Sequence, residues 1–356
     1  MDGTKKRRLR FWIGLAAALL VSVLLLSWAQ WAVTPRYSSE QSPEGNLIRA
    51  YYAEADVPHD VLFIGDCEVY ENFIPAVLWE EYGIRSYVRG SPQQLVWQSY
   101  YLLREMLTYE TPKVVVFNVL AVKYGTPQNE AYNRLTLDGM KASPNKWKAV
   151  KASMTEGESF LSYVFPLLRY HSRWSELGIR DWFCPASGEE ENLFFNGYML
   201  QTDIVPESEN PTQGKDLLDY TLPAASMEYL EKMADLCRSK GITLILIKAP
   251  TNNWRYWWYD EWDEQMAAFA REQDLPYYNL ISDREAMGLD FSHDSYDGGI
   301  HLNVYGAEKL TKYFGALLSN TFSVPDYRSD PDSQIFWNDA LERFRAEKER
   351  RESQSE

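Results

Sequence analysis

The chain is poor in cysteine, with only Cys67, Cys184 and Cys237 among its 356 residues. Three cysteines do not form a disulfide framework, and an odd count outside the cytoplasm leaves at least one thiol free. Cys237 lies in an amphipathic segment, residues 227–240, and Cys184 follows two aromatic residues without a partner group nearby in sequence. We predict structural roles for these two cysteines.

Histidine and basic residues are also scarce. None of the four histidines forms an H-x₃-H spacing and no C-x₂-C motif occurs, so we predict no metal site and no cofactor. Only 36 Lys and Arg face 51 Asp and Glu, which gives a net charge of −15. That balance excludes a nucleic-acid-binding protein, because such binding depends on cationic contacts with phosphate.

One long apolar run is present, residues 11–33, and it contains no charged residue. Its length suits a single transmembrane helix of about 20 residues. Residues 1–10 carry five Lys and Arg side chains, which predicts a cytoplasmic tail and an extracytoplasmic remainder. A cleavable signal peptide is the alternative, since Ser27-Trp28-Ala29 resembles a small-x-small cleavage site. The length of the run and the aromatic Trp28 and Trp31 favour an uncleaved anchor.

The rest of the chain divides by composition. Residues 34–57 are interpreted as a linker or neck, and residues 58–325 as one domain. In that domain apolar strands alternate with amphipathic helices, which predicts an α/β three-layer sandwich with a central, mostly parallel sheet. Residues 123–222 show no clean period and are interpreted as an insertion with short helices over the catalytic face. Residues 326–356 are charged and predict a solvated helix that frays into a disordered tail. The predicted strands are 61–64, 84–88, 113–119, 242–247 and 276–280.

The first predicted strand ends at Gly65-Asp66-Cys67. Gly65 permits a tight turn at the carboxyl end of the strand, where open α/β sheets bind their ligands. Far along the chain, Tyr296-Asp297-Gly298-Gly299-Ile300-His301 precedes a predicted helix, 304–318. Cys67 near the start of the domain is a candidate nucleophile, and Asp297 and His301 lie near its end. This order indicates one catalytic site that folding assembles from the two ends of the domain.

Cys67, His301 and Asp297 are residue types that together can form a nucleophile, a base and an acid. An imidazole lowers the pKa of a neighbouring thiol, so His301 would take the proton of Cys67. Asp297 would fix the tautomer of His301 and stabilise its charged form, with Asp294 as the reserve candidate. Each residue also has a structural interpretation: a small residue in a turn for Cys67, a helix cap for His301 and a turn residue for Asp297.

A nucleophile that attacks a carbonyl carbon also needs hydrogen-bond donors for the oxyanion that forms. The backbone N–H groups of Cys67 and Gly90 are candidates, because glycine lets the main chain approach closely. The side chain of Asn118, near the end of the third predicted strand, is the third candidate. An ordinary strand-end asparagine is the alternative for Asn118.

Two further regions could contact a substrate. Trp254, Trp257 and Trp258 follow the strand 242–247 and could stack on sugar rings or hold an acyl chain; a packed lid is the alternative. His171, between two arginines, could contact a phosphate or carboxylate, although a solvated turn explains it equally well.

The Gly65-Asp66-Cys67 turn, Gly90, Asn118 and the Asp297/His301 pair resemble the sequence blocks of the SGNH/GDSL hydrolase superfamily. The anchor, the insertion and the closing Tyr-Asp…His-Leu-Asn pattern are similar to its membrane-anchored, extracytoplasmic subgroup that includes the D-alanyl-lipoteichoic acid protein DltD. The resemblance implies a flavodoxin-like sheet and a catalytic triad of Cys67, His301 and Asp297. The chain departs from the family twice. Cys67 replaces the usual serine, and Asp297-x-x-x-His301 is one residue longer than the usual Asp-x-x-His.

The function expected from these features is extracytoplasmic acyl transfer on a cell-envelope polysaccharide or teichoic-acid-like polymer. A cysteine favours transfer from an activated donor over hydrolysis, because a thioester is activated and a thiol expels an ordinary alkoxide poorly. The resemblance implies a multipass membrane O-acyltransferase as a partner. Two other interpretations stay open: a catalytically inactive scaffold of an envelope-modification complex, and a secreted esterase.

Overall fold

The computed structural model describes residues 3–35, 45–184, 194–208, 214–252 and 257–355. The chain forms two compact units. One comprises residues 1–43 and 157–190, and the other comprises residues 44–156 and 191–356. We call the first the anchor unit and the second the catalytic unit, after the roles that the sequence predicts for them.

The elements are numbered along the chain. The strands are β1 (Val61–Gly65), β2 (Ser86–Gly90), β3 (Val114–Asn118), β4 (Phe194–Phe195), β5 (Tyr198–Met199), β6 (Thr243–Lys248) and β7 (Tyr277–Asn279). The helices are α1 (Gly3–Val33), α2 (Asn46–Glu54), α3 (Cys67–Tyr70), α4 (Pro75–Tyr82), α5 (Val96–Met106), α6 (Glu130–Leu137), α7 (Pro144–Ser153), α8 (Phe160–Val164), α9 (Leu167–Tyr170), α10 (Ile179–Phe183), α11 (Ala224–Lys240), α12 (Asp260–Gln273), α13 (Arg284–Met287), α14 (Val304–Thr321) and α15 (Pro331–Ser355). Two short 3₁₀ helices are Val119–Lys123 and His171–Ser175.

The catalytic unit is built on a five-stranded parallel sheet in the order β2-β1-β3-β6-β7. Strands β1, β2 and β3 are continuous runs of buried side chains, as expected for a sheet that is covered on both faces. Phe63 packs into one core with α4 and α14, whereas Leu62 and Ile64 pack into a second core with α5, α11 and α12. The predicted three-layer α/β architecture with a parallel sheet is therefore confirmed.

The segment interpreted as a linker differs from that prediction in its second half. Residues Asn46–Glu54 form α2, whose Leu47, Ile48 and Tyr51 are buried. The Ser- and Pro-rich composition that indicated a linker stops before this helix, and apolar residues at helical spacing begin there. Helix α2 is thus part of the catalytic unit.

The C-terminal segment also differs from its prediction. Instead of fraying, residues Pro331–Ser355 form α15, which packs against α4. Trp337 and Phe344 are buried, and the indole N–H of Trp79 donates to Asn338 Oδ1 at 2.9 Å. The many charges of this segment occupy the outer side of a helix whose inner side closes the core.

The insertion divides between the two units. Helix α7 packs against α5, where the indole N–H of Trp97 donates to Ser153 at 3.1 Å, and α6 packs against α7. Thr136 of α6 also forms a hydrogen bond with Ser91, which follows β2 at the carboxyl edge of the sheet. Residues 157–184 belong to the anchor unit, where α9, α10 and the 3₁₀ helix His171–Ser175 pack against α1. Helix α1 is long and apolar enough to cross a membrane or to act as a signal sequence.

Candidate active site

Cys67 lies at the carboxyl edge of the sheet, in the turn that links β1 to the short helix α3. The side chain of Asp66 caps this helix by accepting a hydrogen bond from the N–H of Glu68 at 3.2 Å. Strand β2 lies on one side of β1 and strand β3 lies on the other, so the order of the strands reverses direction between β1 and β3. This pair is the topological switch point of the sheet. In open α/β sheets ligands bind at this place. The Cys67 side chain is partly exposed there.

Three side chains from the two ends of the catalytic unit meet at this edge. His301 Nε2 lies 2.9 Å from Cys67 Sγ, and His301 Nδ1 lies 2.6 Å from Asp297 Oδ2. Because a carboxylate only accepts hydrogen bonds, Nδ1 carries the ring proton and Nε2 accepts from the thiol. The structure therefore brings together Cys67, His301 and Asp297 in the order of a nucleophile, a base and an acid.

The loop before α14 accommodates the extra residue between the acid and the base. Gly298 and Gly299 both have positive φ angles, 84° and 96°, a conformation that other residues adopt at a cost. The chain curls so that Asp297 Oδ1 accepts the backbone N–H groups of Ile300 (3.2 Å) and His301 (2.8 Å). This leaves Oδ2 for the imidazole.

Asp294, the reserve candidate, does not contact His301. It is fully buried and pairs with Lys309 at 2.6 Å, while it also accepts the backbone N–H of Asp290 at 2.8 Å. Its position identifies it as a support of the loop before α14.

Two neighbouring segments hold the loop before α14 through hydrogen bonds. After β6, Thr251 Oγ1 donates to the carbonyl of Ile300 at 3.0 Å, and the N–H of Asn252 donates to that of Gly299 at 2.8 Å. From the insertion, Val205 exchanges backbone hydrogen bonds with Ser295 and Gly298 at 2.9 and 3.2 Å. The part of the insertion around Val205 therefore does border the site.

A second carboxylate faces the same imidazole. Glu71 Oε2 lies 3.7 Å from His301 Nδ1, and Glu71 is buried. Burial raises the pKa of Glu71 to about 7, although the nearby His301 and a hydrogen bond with Tyr296 lower it. The ring of Tyr296 stacks on the imidazole with 6.0 Å between centroids and 18° between planes. His301 is thus confined by two acids and an aromatic face.

The protonation of the pair differs from the lowered thiol pKa that the sequence suggests. Burial raises the pKa of the Cys67 thiol to about 11, although His301 lowers it. Burial lowers the pKa of His301, but the charges of Cys67 and Glu71 and the bond to Asp297 outweigh burial and hold it well above its ordinary value. The charge on each of these two groups favours the charged form of the other, and groups this close titrate together, so the proton belongs to the Cys67–His301 pair rather than to either side chain.

Asn118 occupies a buried polar network beneath the nucleophile turn. Its Nδ2 donates to Asp66 Oδ1 and to Glu68 Oε2, both at 3.0 Å, and its Oδ1 accepts the N–H of Ala249 at 3.0 Å. Both amide hydrogens are already used, so Asn118 does not supply the oxyanion donor expected from the sequence. It fixes the turn instead.

The same network holds a buried ion pair. Lys248 Nζ donates to both carboxylate oxygens of Glu68, at 2.8 and 2.7 Å, and to the carbonyl of Ala249 at 2.8 Å. All three ammonium protons are satisfied, which is what a charge with no exposed surface requires. Lys123 lies nearby, and burial lowers its pKa to about 8 although Glu68 raises it.

Gly90, the last residue of β2, pairs with Gly65 at the end of β1. A Cβ added at Gly90 would come within 2.9 Å of the Gly65 carbonyl oxygen and 3.1 Å of that of Asp66. Only a glycine lets β2 approach the nucleophile turn this closely.

The residues predicted to contact substrate have different outcomes. Trp258 is buried in the core beside α12, where its N–H donates to Asp263 at 3.3 Å, so it cannot stack on a ligand. Trp257 is partly buried, and its carbonyl accepts from Lys123 at 3.3 Å. Trp254 lies outside the described residues. His171 is exposed in the anchor unit, with Nδ1 at 3.2 Å from the carbonyl oxygen of Leu168.

Sequence reasoning missed Glu68, Glu71, Lys248 and Tyr296. Glu71 follows Cys67 by four residues, a spacing that returns to the same side of a helical turn, whereas Glu68 at the next position has no such signal. Lys248 ends an otherwise apolar strand, and a charge at that position indicates the carboxyl edge of the sheet. Among the described residues, no group of three or more His, Cys, Asp or Glu side chains could hold a metal ion.

Comparisons with known proteins give distant likenesses. No family model matches the chain, and no curated protein matches its sequence. Among solved structures, a candidate lipolytic protein of the G-D-S-L family from Desulfitobacterium hafniense is 12% identical and covers 72% of this chain and 98% of its own, with a TM-score of 0.36. A candidate acylhydrolase from Bacteroides fragilis is 13% identical and covers 79% and 99%, with a TM-score of 0.38. A GDSL-like lipase from Bacteroides thetaiotaomicron is 13% identical and covers 79% and 98%, with a TM-score of 0.34. The function proposed below therefore rests on the geometry of the chain's own residues.

Proposed function

We propose that this chain is a membrane-anchored, extracytoplasmic acyl-transfer enzyme that uses Cys67 as its nucleophile. The observation that carries the proposal is the continuous contact from Cys67 Sγ through His301 to Asp297, at 2.9 and 2.6 Å. Side chains in this order are the arrangement that activates a nucleophile toward a carbonyl carbon.

In the first step an acyl donor is bound with its carbonyl carbon near Cys67 Sγ. The Sγ–C bond forms and the bond from carbon to the leaving group breaks, while His301 moves the thiol proton to the leaving group. This step depends on the basicity of His301, which takes the proton that it shares with Cys67. Asp297 adds to that basicity through its hydrogen bond at Nδ1, and Glu71 adds to it through the charge that it places near the same atom.

In the second step a hydroxyl of the acceptor attacks the thioester. The new C–O bond forms, the C–Sγ bond breaks, and the hydroxyl proton passes through His301 Nε2 to Cys67. Both steps develop charge on the carbonyl oxygen. We propose the backbone N–H groups of Cys67 and Gly90 as its donors, since Asn118 is fully engaged elsewhere.

A thiol favours an activated donor. Attack on an ordinary ester would require expulsion of an alkoxide, a poorer leaving group than the thiolate, whereas a thioester once formed transfers readily to a hydroxyl. We therefore propose O-acylation of a cell-envelope polysaccharide or teichoic-acid-like polymer, with a multipass membrane O-acyltransferase as the source of acyl groups. Helix α1 would hold the enzyme at the membrane with the catalytic unit outside the cell.

The decisive experiment is to trap the acyl-enzyme. The full chain in detergent is mixed with a soluble acyl thioester, and intact-protein and peptide mass spectrometry locate the added acyl group. We expect a stoichiometric adduct on Cys67 that Cys67→Ala and His301→Ala lose. Cys184→Ala is the matched control, because Cys184 is an exposed thiol outside the site.

The fate of the adduct separates the competing functions. Faster discharge onto a sugar hydroxyl than onto water supports a transferase, and discharge onto water alone would reassign the chain as an esterase. If no adduct forms on Cys67 with any activated acyl donor, the inactive scaffold is the better interpretation.

A further inference from the structure

The anchor unit exposes an unusual number of large apolar side chains. We name residues 157–184 the interfacial segment; it contains α8, α9, the 3₁₀ helix His171–Ser175 and α10. Every one of these short helices, or the residue that follows it, presents an exposed aliphatic or aromatic side chain. These side chains are between 39% and 77% exposed: Leu161, Phe165, Leu168, Trp174, Ile179 and Phe183. Soluble surfaces rarely display such a cluster without a partner.

The interfacial segment is fastened to the C-terminal end of α1. The indole N–H of Trp28 donates to the carbonyl of Trp182 at 3.0 Å, and the two indoles lie 4.8 Å apart between centroids. Phe183 contacts the same indole at 6.0 Å. Arg173 donates to the carbonyl of Val33, the last residue of α1, at 2.5 Å. These contacts fix the segment at one depth along the helix axis.

That depth corresponds to a membrane surface. Residues 11–33 form about 35 Å of helix at about 1.5 Å per residue, slightly more than the roughly 30 Å hydrocarbon core of a bilayer. Tryptophan is enriched at the boundary between headgroups and acyl chains, and Trp28 lies near the end of this span. The segment held by Trp28 and Val33 therefore lies at the boundary as well.

The composition of the interfacial segment fits the same environment. Apolar and aromatic side chains alternate with charged ones, and Arg180 is exposed beside Ile179, the most exposed apolar residue of the segment. Short helices that lie in the plane of a membrane combine these residue types: aromatic and aliphatic side chains enter the acyl boundary, while arginines meet phosphate headgroups.

We propose that the interfacial segment is a lipid-binding platform whose exposed apolar side chains insert into the extracytoplasmic leaflet around α1. It rests on the membrane anchoring in the proposed function, and it adds a second contact with the bilayer. A single transmembrane helix permits rotation and tilting, whereas a platform packed on its end opposes both. The platform thus defines one side of the anchor unit as the side that faces lipid.

The test uses Cys184, which is exposed at the end of α10, as a built-in labelling position. In a Cys67→Ala background the full chain is labelled there with an environment-sensitive fluorophore and reconstituted into vesicles of phosphatidylcholine and phosphatidylglycerol. We expect a blue-shifted emission, strong quenching by lipids with a shallow nitroxide and weak quenching by aqueous iodide. The position control is Ser239→Cys in the Cys67→Ala/Cys184→Ala background, because Ser239 is exposed on α11 of the catalytic unit.

Substitution of the platform provides the second arm. Ile179→Asp with Phe183→Asp should reduce nitroxide quenching at Cys184 at least twofold. Leu218→Asp, which changes a fully exposed leucine of the catalytic unit, should leave the nitroxide quenching unchanged. All variants should resist extraction by alkaline carbonate, which reports the anchor α1 alone.

Three results would overturn the platform. Equal iodide quenching at the two labelled positions in a carbonate-resistant chain would show that the segment is in water. Protection in native membranes but not in pure lipid vesicles would replace lipid by a protein partner. Extraction of the unsubstituted chain by carbonate would refute the anchor of the proposed function itself, and the platform with it.

Discussion

At the residue scale, three acids around the loop before α14 have different environments: Asp297 bonds to His301, Glu71 adds charge near the same imidazole, and Asp294 supports the loop. Burial raises the pKa of Asp297, but its hydrogen bond with His301 outweighs burial and holds the pKa below its ordinary value, so it is ionised at neutral pH. Asp297→Asn should lower kcat by about 10³- to 10⁴-fold, because the amide favours the wrong imidazole tautomer. The same substitution should change the free energy of unfolding, measured in urea, only slightly.

Asp294→Asn is the matched control and should show the opposite pattern. It weakens a buried carboxylate that serves Lys309 and the Asp290 N–H, so we expect a loss of about 1–3 kcal/mol in the free energy of unfolding. Its kcat per folded molecule should change little. The reverse ranking of the two variants would reassign the catalytic acid to Asp294.

Glu71 gives a second prediction through pH. Its carboxylate raises the pKa of His301, and its own pKa is about 7, so its charge supports the base only above that pH. Glu71→Gln removes this charge and lowers the pKa of His301, which should move the acid limb of kcat/KM down by about one pH unit. Alkylation of Cys67 measured against pH should shift in the same direction, since Glu71 also raises the thiol pKa.

Glu81→Gln is the control for Glu71, because Glu81 pairs with Lys312 far from the imidazole. An unchanged pH profile in Glu71→Gln would show that Glu71 is only structural. A loss of kcat at every pH without a shift would lead to the same conclusion.

The sequence predicts which residues meet at the candidate site better than it predicts what surrounds them. Cys67, His301 and Asp297 stand in turns with recognisable spacing, and the structure brings them into contact. The roles of Glu71 and Asn118 depend on which neighbours the fold delivers. Asn118 was assigned to the oxyanion from its place at a strand end, but two carboxylates from another turn take its amide hydrogens.

At the scale of elements, strands were predicted more reliably than helices that lack a clean pattern. The continuous apolar runs predict the ends of each strand of the parallel sheet to within about two residues of the observed ends. The C-terminal helix α15 was misjudged, because charges on its outer side obscured Trp337 and Phe344 on its inner side. Helix α2 was obscured by the polar segment that precedes it.

The contribution of α15 to stability is testable. Trp337 is buried against Trp79 and the ring of His59, so Trp337→Ala should cost about 3–5 kcal/mol in the free energy of unfolding. Ile335→Ala lies on the same helix at a side chain that is 77% exposed, and it should change the free energy by less than about 0.5 kcal/mol. Urea unfolding of the full chain in detergent measures both. Equal effects would mean that α15 is solvated as the sequence suggested.

At the scale of the whole molecule, the chain places the candidate site and the long apolar helix in different units. The sheet, both of its cores and the Cys67 site belong to the catalytic unit, whereas the long apolar helix and the interfacial segment belong to the anchor unit. Composition revealed the apolar helix but not that residues 157–184 join it, because that contact spans more than a hundred residues of sequence. The two units therefore permit separate tests of reaction and location.

Removal of the anchor should affect only reactions at the membrane. A chain that begins at residue 45 and carries Ile179→Asp with Phe183→Asp lacks α1 and the proposed lipid contact of the interfacial segment but retains the catalytic unit, so its Cys67 should be acylated by a soluble thioester at the rate of the full chain. With a donor embedded in vesicles, the rate should fall by roughly tenfold or more, because tethering holds the site at an effective concentration in the mM range. Replacing α1 by an unrelated transmembrane helix should restore much of that rate. An undiminished rate with the embedded donor would show that the anchor has no part in delivery of the acyl group, and the donor would then have to be soluble.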